Sequence, residues 1–182
     1  MQEDQGITRA YEAAKAGRWD ELLTAWSRDP AQARACSRFR KSTTGWTFLH
    51  QAAYFGHEVA CRALIRVGAA VAKRSVNGET AAGVAKRRGH AALAAVLRRA
   101  AAGARSVWSA PTDPDLLPCS CLWGEAVERR ASQAMQVAYA GGVVDIPAGR
   151  RYYADSFERV LIGWHGSYDP PCGMDDRSMV GD

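Results

Sequence analysis

The sequence predicts a mainly α-helical chain: a short α-solenoid of paired helices over residues 5–102, then a small α+β module of one helix and a three-stranded antiparallel meander. Three observations carry this expectation. Gly45, Thr47, Gly56, His57 and Leu64 recur as Gly78, Thr80, Gly89, His90 and Leu97 at a constant offset of 33 residues, and a period of that length marks stacked supersecondary units. Within each unit the apolar residues fall at helical spacing, as Val59, Ala60, Ala63, Leu64 and Val67 do. Beyond Gly142 the apolar period switches to two, the spacing of strands.

In the middle unit, about residues 43–75, Thr47 suits an N-cap because its hydroxyl can accept from the N–H groups that a first helical turn leaves unpaired. Ala52 and Ala53 are small enough for close helix approach. Gly56 can take the left-handed conformation that ends the first helix, and His57 opens the second. The N-terminal stretch, about residues 5–35, repeats this skeleton as Gly6-Ile7-Thr8, Ala13-Ala14 and Gly17, with a second helix from Trp19 to Trp26 whose apolar face is Trp19, Leu22, Leu23 and Trp26. The third unit, residues 76–102, carries Gly78, Thr80, Ala85, Gly89 and His90. Its arginine-rich face suits a terminal cap that meets water.

Gly45-x-Thr47 followed by Leu49-His50, the pair Ala52-Ala53, and Gly56-His57 ahead of an apolar helix ending at Gly68 together resemble an ankyrin repeat. The resemblance covers roughly residues 5–102 as three repeats. It implies that His50 ties its repeat to the next connecting loop, and that residues between the skeleton positions face a concave groove that binds another protein. The chain departs from the family at Phe48, where proline is usual, and at Ala81 and Gly83, where the third repeat lacks the histidine.

Between the first two units the spacing breaks. Gly17 to Gly56 is 39 residues against 33 for Gly56 to Gly89, so six extra residues are expected in the loop from Pro30 to Thr44. Residues 103–118, with three prolines, form an expected linker, anchored by Trp108 and Leu116-Leu117. In the module, residues 119–182, Trp123 to Ala140 has a helical apolar pattern closed by Gly141-Gly142. Val143–Ile146, Arg151–Ala154 and Arg159–Trp164 follow as three strands. So small a unit is expected to lean on the repeats in cis.

Net charge is +5, but the halves differ in sign: residues 1–103 hold 17 Lys and Arg against 8 Asp and Glu, and residues 104–182 hold 7 against 11. Five cysteines at irregular spacing argue against a disulfide framework. No apolar run is long enough to span a bilayer and the N-terminus lacks a secretory layout, so a cytoplasmic protein without membrane contact is expected. Cys119, Cys121, His165 and Cys172 are the residue types of a zinc site, but only one pair is tightly spaced. Metal and cofactor are therefore expected to be absent. Cys172 with His165 lacks a third group to orient the base, and Asp169, Asp175 and Asp176 are expected to be solvated turn acids. Arg38, Phe39, Arg40 and Lys41 could contact phosphates, yet a solvated face or a protein-binding role explains them better than nucleic acid does.

The expected function is protein binding through the concave face. The candidate partner-binding residues are Trp46, Tyr54 and Phe55 in the middle repeat, flanked by Thr43 and Thr44, and Asn77, Glu79, Arg87 and Arg88 in the last, beside Val76. Trp, Tyr and Arg dominate buried anchors at interfaces, and the arginines favour a partner segment of partly acidic sequence. The alternative is a two-part enzyme whose C-terminal module carries the activity and whose repeats recruit the substrate. No catalytic signature stands in the sequence, and no catalytic residue is assigned.

Overall fold

The computed structural model describes residues 2–104, 113 and 115–181. Helix and strand are both present, so the chain is mixed α+β. It divides into two compact units, Met1–Ala101 and Ala102–Asp182.

The first unit is helical: α1 (Gln2–Lys15), α2 (Trp19–Arg28), α3 (Pro30–Arg38), α4 (Phe48–Tyr54), α5 (Glu58–Arg66), α6 (Ala81–Arg87) and α7 (Ala91–Gly103). The caps follow the sequence where the 33-residue period is exact. Thr47 Oγ1 accepts from the His50 N–H (3.4 Å) and Thr80 Oγ1 from the Gly83 N–H (3.2 Å), which places the starts of α4 and α6. Gly56 ends α4 at φ +69°, and the following N–H, that of His57, returns to the Ala52 carbonyl (2.9 Å). The same bond recurs as Arg18 to Ala13 (3.0 Å) and His90 to Ala85 (2.9 Å). Between the helix pairs the backbone turns at Lys41–Trp46 and Ser75–Glu79. The Val76 N–H donates to the Thr44 carbonyl (2.9 Å), which joins the two turns.

Two expectations in this unit fail. The Gly6-Ile7-Thr8 stretch does not open a helix as Gly45-x-Thr47 does, because α1 begins at Gln2 and runs through it; Gly6 costs a helix only about 1 kcal/mol. The stretch from Pro30 to Thr44 is not all loop either. Its first nine residues form α3, because Asp29 caps them through Oδ1 to the Gln32 N–H (3.1 Å) and Pro30 supplies the preset φ of a first helical position.

That extra helix explains Phe48. Its ring is fully buried and meets Tyr11 of α1 (5.3 Å, interplanar 81°), Trp26 of α2 (5.9 Å) and Phe39, which caps α3 (5.9 Å). A proline here could not reach three helices. Arg38 is committed to structure as well: its guanidinium donates to the Val67 carbonyl at the end of α5 (3.0 Å). Arg40 donates to the carbonyls of Gly45 (3.3 Å) and Arg74 (3.4 Å). These two cations satisfy helix-end and turn carbonyls rather than standing free for phosphate.

The second unit holds β1 (Cys119–Ser120), β2 (Val127–Arg130), β3 (Met135–Tyr139), β4 (Gly142–Ile146), β5 (Arg151–Ala154) and β6 (Val160–Leu161). Strands over 143–146 and 151–154 are where the period of two puts them. The helix over Trp123–Ala140 is absent: a single 3-10 turn at Trp123–Glu125 precedes β2 and β3. Its apolar positions serve both readings, and the hairpin wins because Tyr139 pairs with Gly142 across Ala140 and Gly141, both at positive φ (54° and 77°). Such a two-residue turn matches strand twist, so Gly141 marks a hairpin and not a helix end.

The meander is corrected too. β4 pairs with β3 in a separate two-stranded ribbon, while the larger sheet has the order β1-β6-β5-β2, with β1 parallel to β6. β6 is only two residues long, as the chain turns away at Gly163. The core is Ala131, Val137, Ile146, Val160 and Ile162, with Leu117 and Tyr152 packed against it. Leu117 is thereby anchored; the role expected of Trp108 lies outside the described residues.

At the tight turn before β6, Asp155 and Arg159 form a buried ion pair. Asp155 Oδ2 accepts from Arg159 Nε (2.9 Å), and Oδ1 accepts from the N–H groups of Phe157 (2.8 Å) and Arg159 (3.0 Å). The two side chains are 0% and 2% exposed, so the pair is sealed from water.

Candidate protein-docking surface

The strip is built on α4 and the turn before it. His50 and Tyr54 are four residues apart on α4 and therefore share one helix face, and Trp46, in the turn before the Thr47 cap, lies against both. Trp46 lies 5.8 Å from the His50 ring and 6.1 Å from Tyr54, and Tyr54 meets Phe55 nearly edge-on (5.2 Å, 78°). Phe55 is 42% exposed although it is a large apolar ring. Its edge rests on Gly17, where an added Cβ would stand 3.1 Å from the ring, so the glycine is the floor of the phenylalanine's seat.

Arg88 at the end of α6 stacks on Tyr54, with its guanidinium carbon 4.2 Å from the ring centroid. Arg87 is differently engaged: its Nε and Nη2 donate to Glu79 Oε1 (2.7 Å) and Oε2 (3.0 Å), a two-point pairing. The guanidinium holds the Glu79 carboxyl below its ordinary range. Asn77 is exposed at the tip of the Ser75–Glu79 turn. Of the seven candidate residues, Trp46, Tyr54, Phe55 and Arg88 are joined by ring and cation–π contacts, and Glu79 and Arg87 form a separate ion pair, while Asn77 belongs to neither set.

His50, expected to tie its repeat to the next connecting loop, has a structural geometry. Nε2 donates to the Glu79 carbonyl (3.0 Å), which makes Nδ1 the acceptor for the Thr47 N–H (3.3 Å) and hydroxyl (2.9 Å). One neutral imidazole therefore spans from the start of α4 to the turn that carries Glu79. Burial pushes its pKa below 6.5; its hydrogen bond to the Glu79 carbonyl and the Glu79 charge oppose this, while Arg40 adds to it. A group with a depressed folded pKa binds protons more readily when unfolded. Its stabilisation is complete above pH 6.5 and is lost as pH falls from there through the folded value. The first unit is therefore expected to melt at lower temperature at about pH 5 than at about pH 7.5, and the difference is expected to shrink in His50→Gln. Identical pH profiles for the two chains would contradict this.

His57 caps α5 by accepting the Ala60 N–H at Nδ1 (3.2 Å), with Nε2 3.6 Å from Asp20. The His90 ring covers Gly56, where an added Cβ would stand 2.6 Å from it. Both are packing histidines.

The other chemistry-bearing residues lie in the second unit. Cys172 donates its S–H to the Pro170 carbonyl (3.4 Å), and His165 packs on Trp164 (5.2 Å). Among the described residues no group of three or more His, Cys, Asp or Glu is placed to hold a metal. Asp169 is paired with Arg151, and Asp175 lies 3.8 Å from Arg177, so these turn acids have arginine partners. Burial pushes the thiols of Cys36 and Cys61 up to about 12 and that of Cys119 to about 11. These three are expected to alkylate at neutral pH far more slowly than a free thiol, as intact-mass kinetics will read. Rapid labelling of any of them in the folded chain would contradict the burial.

No described helix is long and apolar enough to cross a membrane. Compared with known proteins, the sequence matches no family model and no curated relative.

Proposed function

We propose that residues 5–102 form a short ankyrin-repeat solenoid that binds a partner protein across Trp46, Tyr54, Phe55, Asn77, Glu79, Arg87 and Arg88. The observation that carries this reading is the continuous stack from Trp46 through Tyr54 to Arg88, with Phe55 beside it and 42% exposed. Rings and guanidinium groups fixed by their neighbours lose little rotamer entropy on binding, and that favours anchors of this kind. The ankyrin assignment is supported by the shared 33-residue caps and by the His50 link to the next turn. A location in the cytoplasm goes with it, which cell fractionation tests.

A partner recovered by crosslinking to the whole chain should bind Trp46→Ala or Tyr54→Ala about 2 kcal/mol more weakly, roughly thirtyfold in Kd. Both residues are only half buried, so the melting temperature should change little. Full affinity in a Trp46→Ala, Tyr54→Ala double variant that melts normally would move the binding site elsewhere.

A further inference from the structure

The two neighbouring arginines differ in what they can still accept. Arg87 already holds a carboxylate in its fork, that of Glu79, at 2.7 and 3.0 Å. Glu79 is itself fixed from both sides along the backbone: its N–H donates to Ser75 Oγ (3.1 Å) and its carbonyl accepts from His50 (3.0 Å). Its side chain therefore starts from a pinned position and acts as a built-in ligand for Arg87. Arg88 has one face on Tyr54 and is exposed, and among the described residues no acid pairs with it. A guanidinium stacked on a ring keeps its N–H groups in the ring-parallel plane, where they can grip a carboxylate at two points.

We propose, resting on the docking reading above, that the surface takes an extended partner segment bearing one carboxylate beside one large apolar side chain. The carboxylate is received by Arg88 and the apolar group by the Trp46, Tyr54 and Phe55 rings, while Glu79 keeps Arg87 from taking a second acid. Charge complementarity sets the choice: Arg88 lies on the half-buried Tyr54 ring next to the exposed Phe55, and the neighbouring cation is neutralised internally. A segment with two acids gains nothing from Arg87 unless it displaces Glu79, and otherwise meets a like charge.

The test uses a random twelve-residue phage-displayed peptide library, selected on the full chain and on three variants. On the unmodified chain the selected peptides should share one Asp or Glu close to a Trp, Phe or Leu. On Glu79→Gln they should gain a second acid, and on Arg88→Gln they should lose the first. A synthetic peptide of the selected sequence should bind Arg88→Gln at least about tenfold more weakly, the size of a lost charge-assisted contact. On a Glu79→Gln, Arg87→Gln double variant, which removes the internal pair without leaving a free carboxylate, the selected peptides should still carry the single acid that Arg88 receives. Peptides that bind through the rings but show no acid preference, or lose it on removal of the internal pair and not of Arg88, overturn this proposal and leave the docking reading standing. Peptides indifferent to Trp46→Ala and Tyr54→Ala, or no selection at all, count against the docking reading itself.

Discussion

Phe48→Ala is expected to bring the first unit close to unfolding at room temperature. The ring is fully buried at the point where α1, α2 and the end of α3 converge on α4, and it makes edge or tilted contacts with Tyr11, Trp26 and Phe39. Truncating a buried phenylalanine costs about 3–5 kcal/mol, from lost transfer energy and from the cavity left behind. Three aromatic neighbours each lose a contact worth about 0.5–1.5 kcal/mol, part of which is already inside that figure. A small domain holds only about 5–15 kcal/mol in total, so the melting temperature should fall by well over about 10 °C. Phe48→Leu, which refills most of the volume, should recover the larger part. A Phe48→Ala chain that melts within a few degrees of the parent would show that the four-ring cluster is not the keystone of the unit.

Asp155→Ala should be as costly in the second unit. The substitution strands the Arg159 guanidinium in a site 2% exposed and removes the acceptor for two backbone N–H groups in the turn before β6. Breaking one side of a buried pair costs about 3–5 kcal/mol because the remaining charge is left without its counter-ion. Replacing both partners together, as Asp155→Leu with Arg159→Met, removes the orphan charge and should restore much of the loss. The decisive comparison is therefore between single and double variants by thermal unfolding. If the single change is harmless, or the double change is worse than the single, the pair does not hold the turn.

The helical half was legible where the residues have one mechanical meaning. Thr47, Thr80, Gly56 and Gly89 are cap and turn residues at a fixed spacing, and the structure uses them as such. Legibility ended where a second signal competed with the period. Asp29-Pro30 is a helix start written plainly in the chain, but the break in the 33-residue spacing there reads equally as a longer loop; the extra residues accommodate α3. Phe48 stands where a repeat usually has proline, and its partners Tyr11, Trp26 and Phe39 are too distant in sequence for a local pattern to reveal them.

In the second unit the apolar residues from 123 to 138 fit a helix and two strands about equally well. The decision came from the Ala140-Gly141 turn and from pairings with Gly142–Ile146 and Arg151–Ala154, which are long-range facts. Asp155 is an acid in a turn, a residue type that is usually solvated, and only its 0% exposure reveals the buried role. For the docking surface, the sequence assembled the aromatic and basic residues by register. It could not separate Arg87 from Arg88, since that difference lies in where the Glu79 and Tyr54 side chains end.

The most direct measurement of the docking claim is amide hydrogen exchange of the full chain with and without a captured partner. Slowed exchange over the turns and helix ends at residues 43–56 and 76–89, with residues 115–181 unchanged, is the predicted result. Slowed exchange confined to residues 115–181 would contradict it and place the binding site on the second unit.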